Sequence, residues 1–114
     1  MFILKNDLGF LKHILDECNF LLTYIKQLNF EDFFSSEIHK RAAVRSIEII
    51  GKASKKISLE TRTTNNHIEW TDLSKMRDVL VHQYFGIDYE IVWDVISEKI
   101  PELQEKIESI ISNY

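Results

Sequence analysis

SEIHKRAAVRSIEIIGKASKKI, residues Ser36 to Ile57, decides the fold. Apolar and small residues return at three- and four-residue steps: Ile38, Ala42, Ala43, Ile47, Ile50, Ala53, Ser54 and Ile57. That is the period of a helix with one buried face. Ser35 or Ser36 supplies a hydroxyl that can cap its start. Ala42, Ala43, Gly51 and Ala53 leave room for a neighbouring helix to come close. Gly51 is otherwise hard to justify, because glycine costs about 1 kcal/mol against alanine inside a helix.

The same pattern extends outward. Upstream, Asn6 and Asp7 are candidate caps for a first helix reaching about Phe30. Its stripe is Leu8, Leu11, Ile14, Leu15, Cys18, Leu21, Leu22, Ile25 and Leu28, with Lys12, Asp16, Asn19 and Lys26 off it. Glu31 to Ser36 breaks the pattern. Downstream, Thr61 to Asn66 (TRTTNN) reads as a loop. Thr71 is placed to cap a third helix from Asp72 to about Tyr84, with Leu73, Met76, Val79, Leu80 and Val81 apolar and Gly86 as its stop. Asp88 can cap the next helix, with Ile91, Val92, Val95, Ile96 and Ile100 inward. Pro101 starts a new turn or kinks that helix, and Leu103, Ile107, Ile110 and Ile111 continue the stripe. No stretch reads as a convincing strand. The expectation is an all-α, up-and-down bundle of four to five helices in a single domain spanning residues 1–114.

Composition agrees. A chain of 114 residues with 45% apolar content can bury a core without disulfides or metal. Cys18 is the single cysteine and sits in an apolar helical pattern, so it reads as a small core residue of a reducing compartment. No apolar run approaches the roughly 18 residues of a membrane span. The first residues lack a basic leader and acquire acids early, so a cytoplasmic protein with no membrane partner is expected.

The net charge of −4 argues against a whole-surface nucleic-acid binder. The charge is uneven, however. Residues 36–62 hold seven basic and three acidic side chains, and the rest of the chain holds seven basic and fifteen acidic. Either this is an ordinary solvated helix face, or it draws a polyanion to one place. Lys40, Arg41 and Arg45, or Lys52, Lys55 and Lys56, could flank such a path.

Chemistry concentrates in MRDVLVHQYFGID, Met76 to Asp88. On a continuous helix Asp78 and His82, four apart, share a face, and the carboxylate can orient the imidazole. Arg77 and His82 are five apart, about 140° around the helix, so they do not stack. A long arginine can still reach the same cleft if a second subunit closes it. The helix C-terminus and Asp78 both favour the imidazolium. A titrating histidine beside a permanent cation suits RNA cleavage. One group moves a proton at the ribose 2′-hydroxyl or the leaving oxygen, and the other steadies phosphate charge. RNA brings its own nucleophile, so no metal is demanded. The residue types alone favour a plainer reading, a salt-bridged surface with Tyr84 as an amphipathic core residue, since R-x4-H is a pattern easily met by chance.

Longer text narrows the choice. RAAVRSIEIIGKASKKIS, then a polar loop, then IEWTDLSKMRDVLVHQYFGIDYEIVWDVISEKIPEL resembles the HepT-like HEPN ribonuclease toxins. The resemblance spans roughly Ile3 to Leu103. Its most specific parts are Gly-x-Ala on the second helix, Trp70 ahead of the motif helix, R-x4-H-x-Y, and the later Ile-Asp and Val-Trp pairs. It implies a HEPN bundle that dimerises around the motif helix and cuts RNA without metal in one composite cleft. It implies Arg77 and His82 as catalytic pair, Asp78 as the polar position after the arginine, and Tyr84 as the tyrosine of the H-x-Y extension. It implies a cognate minimal nucleotidyltransferase antitoxin that silences a type VII-like toxin by attaching AMP to that tyrosine. Phosphate placed there would occupy the anion site. One departure stands out: the family often has Gly-Glu-Ala where this chain has Gly51-Lys52-Ala53, a base in place of an acid.

Other residues carry less. His13, His39 and His67 have no second ligand at metal spacing. No glycine-rich phosphate loop is present, and no cofactor is expected. Trp70 and Trp93 read as core or dimer packing. The rival readings are a non-catalytic HEPN module that partners a nucleotidyltransferase, and a purely structural bundle.

Overall fold

Helix α1 runs over Asp7–Phe20 and continues through one wide π-helical turn, Leu21–Ile25. Leu11, Ile14, Cys18, Leu21 and Ile25 are buried, while Lys12, Asp16, Asn19 and Lys26 face water, as the spacing predicts. The computed structural model describes residue 3, residues 5–82 and residues 86–114. Neither candidate cap at the start of α1 acts as one. Asn6 makes no side-chain cap bond, and the Asp7 carboxylate turns to a different helix.

The helix also ends before Phe30, because Asn29 starts another. Its side-chain oxygen accepts from the Asp32 N–H at 2.8 Å and opens α2, Phe30–Ser35. Glu31 and Asp32 in its first turn suit the positive end of the helix dipole. The expected break at Glu31 to Ser36 is therefore a short helix.

Helix α3, Glu37–Lys56, is capped by Ser36, whose hydroxyl accepts from the His39 N–H. Ala43, Ile47, Ile50 and Ala53 are buried as expected, but Ile38 is 79% exposed. The reason is phase: nine residues separate Ile38 from Ile47, which is two and a half turns at 3.6 residues each. The two therefore point to opposite sides.

The TRTTNN segment is not a loop throughout. Leu59–Thr64 forms α4, capped by Ser58, whose hydroxyl accepts from the Thr61 N–H. The Asp7 carboxylate accepts from the Ser58 N–H at 3.1 Å and from the hydroxyls of Ser58 and Thr61. A contact across 51 residues thus overrides weak local propensity.

Helix α5, Trp70–Ser74, begins two residues ahead of the expected start. Trp70 is buried, and its indole N–H donates to the Asn65 carbonyl at 3.1 Å. The chain turns at Lys75 and resumes as α6, Met76–Leu80. It then leaves helical geometry. Val81–His82 (β1) pairs antiparallel with Gly86–Ile87 (β2), His82 opposite Gly86. The Asp88 N–H closes the hairpin onto the Leu80 carbonyl at 2.8 Å. Tyr84 lies outside the described residues.

Asp88 caps α7, Tyr89–Asp94, by accepting from the N–H groups of Glu90 and Ile91. A second wide turn, Val95–Lys99, leads without a break into α8, Ile100–Ser112. It falls immediately before the Pro101 turn, where the ring lacks an N–H and would crowd the carbonyl one turn back. The two wide turns pack against each other.

Four rods result: residues 7–25, 37–56, 70–80 and 89–112. Asp7 meets Ser58 and Glu17 meets Ser46, so the first two run antiparallel. Gly51 meets Leu73 and Glu48 meets Arg77, so the second and third do too. The fold is an all-α bundle around Leu11, Ile14, Leu21, Ile47, Ile50, Leu80, Ile96, Ile100 and Ile107.

Candidate functional site

Helix α6 is a turn and a half long, and it presents Arg77 and Asp78 to solvent. The Arg77 side chain is 59% exposed, yet it is not loose. Its Nε donates to Glu48 Oε2 of α3 at 3.2 Å, and Glu48 is 25% exposed. Gly51 is what brings the two helices within reach. A Cβ there would stand 3.3 Å from the Leu73 carbonyl oxygen, tighter than ordinary packing. The expected close approach at Gly51 is thus present, and it sits one turn from Glu48.

His82 lies two residues beyond the end of α6, on β1. The helix on which Asp78 stands stops at Leu80, so Asp78 and His82 belong to different backbone elements. The backbone instead carries His82 into the hairpin opposite Gly86, whose φ of +79° is the left-handed geometry glycine tolerates. Glu48 was not legible as a site residue. Its one signal is that it is the acid in the middle of a basic helix.

Other expectations place clearly. Cys18 is fully buried, and burial first, with the neighbouring Glu17 charge adding, pushes its thiol up to about 12. That is a core residue and no nucleophile. Trp93 is half-buried and packs on Phe30 and Phe33 with ring centroids 6.1 and 5.2 Å apart. Among the described residues no three His, Cys, Asp or Glu side chains gather as a metal site, and no helix is long and apolar enough to cross a membrane. A groove of about 460 Å3 between α5 and α8 is floored by Leu73, Met76 and Leu103, but neither Arg77 nor Asp78 lines it.

Residues 14–110 match the family model described as "Ribonuclease HepT-like". The chain belongs to the HepT-like ribonuclease family. It is 42% identical over 108 residues to "Putative RNase TTE0752" of Caldanaerobacter subterraneus subsp. tengcongensis, covering 95% of this chain and 96% of that one. It is 39% identical over 110 residues to "Putative RNase MJ1216" of Methanocaldococcus jannaschii, covering 96% and 91%. It is 34% identical over 106 residues to "Probable ribonuclease HepT" of Thermococcus cleftensis, covering 93% and 96%. No solved structure matches the chain. As a HepT-like protein it carries R-x4-H-x-Y at Arg77, His82 and Tyr84, with the arginine on an exposed helix and the histidine on the adjoining strand.

Proposed function

We propose that this HepT-like chain is an endoribonuclease toxin that acts as a homodimer and needs no metal. His82 transfers the proton, taking it from the ribose 2′-hydroxyl or giving it to the leaving oxygen. The 2′-oxygen attacks phosphorus as the bond to the 5′-oxygen breaks. Arg77 steadies the charge that grows on the phosphate. Asp78 orients His82, a role that now rests on nearness in the chain and not on a shared helical face. Two copies of the motif complete one cleft. Tyr84 is the point at which a cognate minimal nucleotidyltransferase antitoxin attaches AMP, whose phosphate fills the anion site beside Arg77.

The observation that supports this reading is the exposed Arg77 guanidinium, paired across two helices and carried on the helix that leads into the strand of His82, in a ribonuclease family. One observation favours the runner-up, a non-catalytic module that binds the nucleotidyltransferase. Arg77 already has a carboxylate partner in Glu48.

Cleavage of end-labelled cellular RNA in EDTA by the wild type and by His82→Ala separates the two. Cutting by the wild type alone is the expected result. Cutting by both would sink the role of His82. No cutting by either, from protein whose intact mass carries no AMP, would favour the binding module.

A further inference from the structure

Helix α3 has a second periodic face, opposite the one that builds the core. Arg41, Arg45, Glu48, Lys52 and Lys55 follow one another at steps of four, three, four and three residues. Such steps line side chains up along one side of a helix. The four basic residues are exposed, and Glu48 in their middle is the partner of Arg77.

The structure sorts the remaining basic residues of the segment away from this line. Lys40 bonds Glu37 at 3.0 Å and sits 4.8 and 4.9 Å from the ring centres of Tyr89 and Phe34. Lys56 lies 5.7 Å from the ring centre of Phe10 on α1. Arg62 belongs to α4 and acts on Asp7. Among the described residues Arg45, Lys52 and Lys55 make no ion pair, and Arg41 has a 3.6 Å contact to an exposed Glu37.

From Arg41 to Lys55 the helix rises about 21 Å, with Arg77 tethered near the midpoint. We infer that this stripe is the track for a single-stranded RNA backbone, with two cations on either side of Arg77. The inference rests on the ribonuclease reading and specifies how the substrate enters. Three features favour RNA over a protein partner. A line of cations without an apolar centre is a poor protein hot spot. The rest of the chain is net acidic and repels a polyanion, leaving this face as the place of attraction. Two of the four are arginines, whose planar guanidinium matches phosphate. The track contacts backbone phosphates, so it is indifferent to base sequence.

The test uses full-length His82→Ala protein and fluorescent single-stranded RNAs of unrelated sequence, with anisotropy read across a salt series. Two double variants in that background are Arg41→Gln with Arg45→Gln, and Lys52→Gln with Lys55→Gln. Lys12→Gln with Lys26→Gln on α1 is the control for net charge. Each stripe variant is expected to weaken every RNA alike and to flatten the slope of log affinity against log salt by about 1.4, or about 0.7 per charge. The control is expected to hold the parental slope. Parental affinity and slope in both stripe variants would overturn the track, while leaving the ribonuclease reading intact if the wild type still cuts. A parental protein that binds no RNA, together with a wild type that cuts none, would sink that reading and the track together. A change in sedimentation of the stripe variants without RNA, with affinity lost in step, would assign the face to protein association and overturn the inference. Circular dichroism confirms that each variant is folded before it is scored.

Discussion

Arg77 and Glu48 hold each other across two helices with most of the arginine side chain in water. A pair so placed contributes on the order of 0–1 kcal/mol to stability, because the solvent screens it. On the proposed mechanism its larger effect is on Arg77: a substrate phosphate competes with the Glu48 carboxylate for the guanidinium. Glu48→Gln is therefore expected to cost less than about 1 kcal/mol in denaturant unfolding and to lower KM for RNA, with kcat nearly unchanged. A large loss of stability with unchanged KM would make the pair structural. The sequence made Arg77, Asp78, His82 and Tyr84 visible because they stand in one motif. Glu48 stayed hidden because its partner is 29 residues away and the encounter depends on how closely two helices pack.

Gly51 sets that packing. Valine there would put branched carbon against the Leu73 carbonyl, which belongs to backbone and cannot swing aside. Gly51→Val is expected to destabilise by about 1–3 kcal/mol through overpacking and to lower RNA cleavage along with the melting temperature. An unchanged melting temperature would contradict the contact. Gly86→Ala probes the hairpin in a different way. Among the described residues none beyond its chain neighbours lies within 4 Å of the added carbon, so the cost expected is that of the left-handed backbone, about 1–2 kcal/mol. Elements with strong periodicity and clear caps, such as α3 behind Ser36 and α7 behind Asp88, were legible in the sequence. The short helices α2 and α4 were not, since each depends on a cap among poor helix formers, and α4 also on Asp7 from the far end of the chain. The hairpin was missed because Val79, Leu80 and Val81 fit an apolar helical stripe as well as a strand.

For the bundle as a whole, Asp7 ties the start of the first rod to the helix that follows the second. Burial alone would raise its pKa. Hydrogen bonds from Ser58 and Thr61, with the Arg62 charge, outweigh that and hold the carboxyl below its ordinary range. The folded pKa is therefore lower than the unfolded value near 3.9. The stabilisation is present above that value and is lost as pH falls through the folded pKa. Asp7→Asn is expected to lower the unfolding free energy from urea denaturation at neutral pH by on the order of 1–3 kcal/mol if the hydroxyls lose their acceptor. The gap to wild type should narrow in acid; a constant gap from neutral pH to pH 2, a titration of roughly the whole carboxylate range, would rule out Asp7 as the titrating group. The wide turn at Val95–Lys99 has its own consequence for the length of the chain. A π-helical turn holds one residue more than an α-helical turn spanning the same bonds. Removing exposed Glu98 can let that turn close to α-geometry while Ile100, Leu103, Ile107 and Ile110 keep their bearings. Removing one residue inside α8 would instead swing everything after it by about 100°, so this rod has one place where the gene can lose a codon and the core need not notice.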